Sequence, residues 1–266
     1  MASALGAPRL VLLLALALLP ACAASPVQWD AERAERARAG AMDLSPDGQL
    51  VPDSLTADSA DLALPSAACP GSLALARAGR TLFAVWWSPR HDSTALLASA
   101  FTSDHGAHWS PVVAVDSTDH GASGCVRAPP AIAADAGSGY VHIVYSMLAP
   151  EGPGLFFSHS MDGGASFHSP VPILYGERLG RMSVAADGNL VIVGFEDPNS
   201  RTPRIGLALS RTMGHIFEDR LLPVSDDNGE AVSPLVSIRG HRMAVAWREA
   251  GGATAPTYRI RTGTVP

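Results

Sequence analysis

Thr102-Ser-Asp104-His-Gly106-Ala-His-Trp109 and Ser160-Met-Asp162-Gly-Gly164-Ala-Ser-Phe167 are one turn written twice. Both fit Ser/Thr-x-Asp-x-Gly-x-x-aromatic, and each follows an apolar run. A third copy, Ser210-Arg-Thr212-Met-Gly214-His-Ile-Phe217, keeps the hydroxyl, the glycine and the aromatic but carries Thr in place of Asp. The short Asp side chain can accept backbone N–H groups a few residues on and so close a tight turn. Glycine tolerates the backbone angle such a turn requires. The aromatic ring then pins the turn to whatever lies beneath it. The third positions fall at 104, 162 and 212, a spacing of 58 and then 50 residues. Self-similarity at such a period is the mark of a repeat architecture.

The repeat extends upstream of the turn. Leu73–Ala76, Thr81–Trp87 and Ala95–Phe101 precede the first copy; Ala131–Ala134, Tyr140–Tyr145 and Leu155–His159 precede the second. Ser183–Ala186, Leu190–Phe195 and Ile205–Leu209 precede the third. A fourth unit has Leu235–Ile238, Met243–Trp247 and Tyr258–Arg261 and ends at Pro266. Short runs rich in β-branched and aromatic residues, separated by Gly, Asp and Asn, read as strands. A further run follows each turn: Pro111–Val115, Pro170–Leu174 and Leu221–Val224. Four strands per unit make a propeller blade, so the chain reads as an all-β propeller of four four-stranded blades. The fourth unit lacks its last strand. Either an N-terminal strand within Gly48–Leu64 completes it, or the chain is a truncated or open fragment.

The turn resembles the Asp box of the sialidase-like (BNR-repeat) β-propellers. The resemblance implies that Asp104, Gly106 and Trp109, with Asp162, Gly164 and Phe167, are structural and lie on the face away from a binding site. The opposite face is then built by the loops that lead into each blade and those that join its second and third strands. In the family, three arginines clamp a substrate carboxylate, a Tyr–Glu pair supplies the nucleophile and an Asp is the acid/base. Enzymes of this family have six blades and an early Arg-Ile-Pro motif. This chain shows four units and no such motif, so no catalytic residue carries over.

The loops on the expected mouth hold Arg127, Tyr175, Glu177, Arg178, Arg181, Arg204 and Arg248. A guanidinium fork matches a carboxylate bidentately, which makes these the candidate ligand-binding residues. Tyr175 and Glu177 are two apart in one loop, whereas the family takes its pair from separate segments. Two functions follow. One is a non-catalytic propeller that offers its mouth to a glycan or a protein. The other is a divergent exo-sialidase or related glycoside hydrolase.

The N-terminus reads as a targeting segment, residues 1–21. Arg9 is followed by ten apolar residues, too few to span a bilayer, and then by Pro20-Ala-Cys22. Leu19-Pro-Ala-Cys22 is similar to a bacterial lipobox, which would make Cys22 the acylated first residue and a lipid the only link to a membrane. Ordinary cleavage nearby is the other reading. Residues 22–68 form a linker, in which Asp30–Ala39 is either a short exposed helix or a solvated spacer; residues 69–266 are the propeller. Cys69 and Cys125 each precede the innermost strand of their unit. Adjacent blades bring such positions together near the axis, and an exported chain meets an oxidising compartment, so a disulfide is expected; two buried thiols are the alternative.

The composition is 47% hydrophobic and 17% charged, with a net charge of −6. No basic footprint points to nucleic acid. There is no G-x-S-x-G, H-E-x-x-H or Walker loop, no C-x-x-C, and no histidine spacing suited to a metal. Neither a metal nor a cofactor is expected.

Overall fold

A computed structural model describes residues 25–36, 68–69, 71–226, 229–250 and 257–266. The targeting segment with Cys22, and the interval Gly48–Leu64, lie outside them. All regular structure among the described residues is β. Four antiparallel sheets follow one another along the chain. Blade 1 is β3 (Ala74–Ala78), β4 (Thr81–Pro89), β5 (Ala95–Thr102) and β6 (Val113–Asp116). Blade 2 is β7 (Ala131–Ala134), β8 (Val141–Ala149), β9 (Gly152–Ser160) and β10 (Val171–Tyr175). Blade 3 is β11 (Met182–Asp187), β12 (Leu190–Glu196), β13 (Ile205–Ser210) and β14 (Asp219–Pro223). Blade 4 is β15 (Glu230–Arg239), β16 (Arg242–Ala250) and β17 (Thr257–Thr264), with β1 (Gln28–Trp29) and β2 (Arg33–Arg36) on its outer edge.

The N-terminal region therefore completes the last blade, but through residues nearer the start of the chain than the sequence suggested. Gln28 pairs with Thr264, and Arg33–Arg36 pairs with Ile260–Thr257. The charged stretch that begins at Asp30 supplies an edge strand over Arg33–Arg36, not a helix. An edge strand needs only backbone hydrogen bonds on one side, so it carries little side-chain periodicity to read.

The second strands of blades 1 to 3 are buried on both faces. In β4, Phe83, Val85 and Trp87 face blade 2 and meet Ile143, Tyr145 and Met147. In β8 and β9, Val144 and Phe157 turn the other way, toward Val191, Val193 and Phe195. Ile192, Leu207 and Leu209 then meet Met243, Val245 and Trp247 of blade 4. Each fully buried side chain of this size is worth roughly 1.5–3 kcal/mol. Inner strand β3 touches β7, β7 touches β11, and β11 touches β15; no comparable contact joins β15 to β3 among the described residues.

The second and third repeated turns seat their blades on the preceding one. In the second, Ser160 Oγ donates to Asp162 Oδ1 at 2.7 Å, and Gly164 N and Ser166 N donate to Ser160 Oγ and Asp162 Oδ1 at 2.8 and 2.9 Å. In the first, Gly106 N donates to Thr102 Oγ1 and His108 N to Asp104 Oδ1. In the third, Thr212 Oγ1 takes over the Asp role and accepts Ile216 N at 2.9 Å. Gly164 lies against Phe83 and Gly214 against Phe157, each an aromatic of the preceding blade, while Gly106 has nothing within 4 Å of its would-be Cβ. Cys69 and Cys125 are joined by a disulfide, Cα atoms 5.2 Å apart, which ties blade 1 to the segment leading into blade 2.

Candidate functional site

Antiparallel order places the repeated turns and the first hairpin of every blade at one end. The segments that lead into each blade, and the connections between second and third strands, gather at the other. At that second end a cleft of about 560 Å³ is lined by Pro129 and Pro130, by Arg181 and Met182, and by blade 4.

Blade 4 shapes most of the cleft. Met243, Val245 and Trp247 point toward blade 3, so Ala244, Ala246 and Arg248 point away from it. Arg248 pairs across the sheet with Tyr258. The register of β15 on β16 shifts between Val232 and Leu235, where Ser233 takes φ +58° and Pro234 interrupts the ladder. Such bulges re-aim side chains, and here Leu235 is 68% exposed on the cleft. Glu196 fixes the bulge from blade 3: its Oε1 accepts Ser233 N at 2.8 Å. Arg181 lies just before β11, with its carbonyl accepting Glu196 N at 3.1 Å. Arg181, Arg248 and Tyr258 are all exposed. The cleft thus presents two guanidinium groups and a phenol above an apolar floor. No carboxylate is among its described lining residues.

Of the seven residues singled out from sequence, Arg181 and Arg248 line this cleft. Arg127 does not. Its guanidinium is buried on Asp119, with Nε donating to Oδ2 at 3.1 Å, and lies over the Trp87 ring at 5.6 Å. Asp119 also accepts Gly121 N and Leu148 N, so this pair organises the loop before blade 2. Tyr175 stands edge-on to Phe156, ring centroids 5.8 Å apart, and its carbonyl accepts Asn199 Nδ2. Glu177 is exposed in the next turn. Arg178 donates to the Arg201 carbonyl at 2.9 Å. Arg204 precedes β13, and its carbonyl accepts Asp197 N. Tyr258 is the residue that sequence reasoning missed. The alternation of large apolar and small or polar residues along Arg242–Arg248 was its only signal.

A second groove, about 630 Å³, runs along β1 and β14. Trp29 lines it beneath the Arg261 guanidinium at 4.5 Å. Its Asp30 and Glu32 are paired with Arg242 and Arg259, which leaves it a poorer site for a charged ligand. No group of three or more His, Cys, Asp or Glu among the described residues is arranged to hold a metal ion.

No family model matches the chain. No curated protein does either. Solved structures do. A Hadza microbial sialidase shares 16% identity over 70% of this chain and 43% of its own, with a TM-score of 0.51. A protein of unknown function from Dyadobacter fermentans shares 16% over 71% of this chain and 64% of its own, TM-score 0.49. Trypanosoma rangeli sialidase in complex with sialic acid shares 12% over 68% of this chain and 34% of its own, TM-score 0.47. The chain spans less than half the length of these two sialidases. At such identity the likeness is one of fold alone: the four antiparallel sheets of this chain are arranged as in a β-propeller.

Proposed function

We propose that this chain is an exported, lipid-anchored propeller that binds an acidic glycan at the cleft of Arg181, Arg248 and Tyr258 and does not hydrolyse it. The observation that carries the reading is the cleft itself: two exposed guanidinium groups and an exposed phenol with no carboxylate in the described lining. Guanidinium forks suit a sugar carboxylate, and each charge-assisted hydrogen bond is stronger than a neutral one. The Tyr258 ring offers an apolar face with a polar tip to a sugar ring. Glycoside hydrolysis needs an acid and a nucleophile flanking the scissile bond. Tyr175 and Glu177, the pair that sequence offered for that role, are outside the lining. The fold shared with a sialidase brings an acidic sugar forward as the ligand class. The repeated turns are read as the Asp boxes of BNR-repeat propellers, and Cys22 as the acylated residue that tethers the mature protein to the cell envelope.

Titration of the purified propeller with a sialylated oligosaccharide tests the site. Arg181→Ala or Arg248→Ala should weaken binding about 10- to 100-fold, from roughly 1.5–3 kcal/mol per charged hydrogen bond. A fluorogenic sialoside should not be turned over. Turnover that vanished with Tyr175→Phe would overturn the binding reading in favour of a hydrolase. Labelling with a fatty-acid analogue should mark the wild type and not Cys22→Ser; exported but unlabelled wild type would reject the anchor.

A further inference from the structure

Four histidines meet at the opposite end of the molecule, in the seam between blades 2 and 3. His142 at the start of β8 and His159 near the end of β9 are directly paired across the sheet, on the face that carries Val144 and Phe157. His142 is fully buried and His159 is 4% exposed. Neither ring nitrogen of His142 has a hydrogen-bond partner, nor does Nε2 of His159. Buried polar atoms without partners are rare in native proteins and call for an explanation.

The other rings enclose them. His168, which follows the second repeated turn, stacks on His159 with centroids 4.7 Å apart and planes 11° apart. His215 arrives from the third repeated turn and meets His159 edge-on at 4.6 Å. Tyr140 stacks on both buried rings, and Phe157 lies against both. On the blade 3 side, Phe217 meets Phe157 at 4.9 Å. The nearest carboxylate facing His142 is Asp135 of the β7–β8 turn, which is already engaged by Gly137 N, Ser138 N and Ser138 Oγ.

We propose that this stack is an acid-sensitive latch, in which protonation of the buried imidazoles of His142 and His159 sets like charges into the seam and releases blade 3 from blade 2 at this end. A neutral imidazole packs there as an aromatic ring. A charged one loses its hydration without gaining an acceptor. Burial, and then the neighbouring histidines, hold both rings down at about 4. An unfolded histidine titrates near 6.5, so the unfolded chain takes up protons first as pH falls. The stability of the seam is complete above about 6.5 and is lost as pH falls toward about 4. Each ring costs roughly tenfold in the folding constant per pH unit within that window, so the pair costs roughly a hundredfold.

Urea unfolding of the wild type and His142→Phe across about pH 7.5 to 4.5 tests this. The variant keeps an aromatic ring and loses one titrating group. Its folding constant should fall about tenfold less per pH unit than that of the wild type. Equal pH slopes would overturn the latch. Should the variant not fold, an NMR titration of the wild-type imidazoles decides: His142 and His159 remaining neutral at about pH 5 supports it, and protonation above about pH 6 overturns it. Amide exchange at about pH 5 should quicken at Phe157–His159 and His215–Phe217 before blade 4. Uniform quickening would show loss of global stability alone and reject a local release.

Discussion

Gly214 lies against the ring of Phe157: a Cβ on Gly214 would stand 2.4 Å from Cζ, with the backbone at φ +87°. The third turn thus needs glycine twice, for its left-handed backbone and for the close approach of blade 3 to blade 2. Gly106 has φ +92° but open space around it. Gly214→Ala should therefore cost about 2–4 kcal/mol, and Gly106→Ala only about 1–2 kcal/mol of backbone strain. Urea denaturation of the two variants measures the difference; equal losses would show that the ring of Phe157 moves aside.

The Asp162 carboxylate closes its turn through Ser166 N, Ser166 Oγ and Ser160 Oγ. Those hydrogen bonds, Ser166 Oγ foremost, hold it down at about 2. A folded value below the unfolded one means stability that is present above about pH 4 and fades as pH falls toward 2. The turn is solvated, so the effect is screened to under about 1 kcal/mol. Asp162→Asn should flatten acid unfolding in that window and leave glycan affinity unchanged, which parallel fluorescence and binding titrations will show.

The blades were legible because their second strands are written in long apolar runs, as in Val141–Tyr145 and Leu190–Phe195, and because the turn repeats. The closing strand was misplaced because Gln28–Trp29 and Arg33–Arg36 are short, polar edge segments that only backbone pairing defines. Arg127 looked like a ligand-binding residue because nothing local marks burial; its partner Asp119 is eight residues away, across a loop. Tyr258 was passed over on a strand. Its face is set by whether odd or even positions of β16 and β17 meet blade 3, and only the packing of Val245 and Trp247 decides that. Thr212 stands where the other two turns carry Asp, yet its hydroxyl accepts the same bond from the residue four ahead.

Two arginines that sequence placed in one group should behave oppositely. Arg127 is buried against Asp119, and removing one member of such a pair strands the other charge at a cost of about 3–5 kcal/mol. Arg248 is exposed on the cleft and should cost under about 0.5 kcal/mol. Arg127→Ala should lower the melting temperature sharply, while Arg248→Ala should weaken sialoside binding at unchanged melting temperature. A drop in melting temperature for Arg248→Ala would move that residue from the site to the scaffold.

Glu196, at the end of the second strand of blade 3, is coupled to the cleft by the hydrogen bond that Ser233 N donates to its Oε1 at 2.8 Å. Ser233 sits at φ +58°, a conformation that needs support from its surroundings. Glu196→Ala would leave that N–H unpaired inside the bulge that orients Pro234 and Leu235, at a cost of about 1–3 kcal/mol. The bulge also borders Arg181 and Arg248, so ligand affinity should fall together with stability. Glu196→Gln retains a carbonyl oxygen at the same reach and should restore most of both. Rescue of stability without affinity would mean that the shape of the bulge is not what positions the ligand-binding arginines.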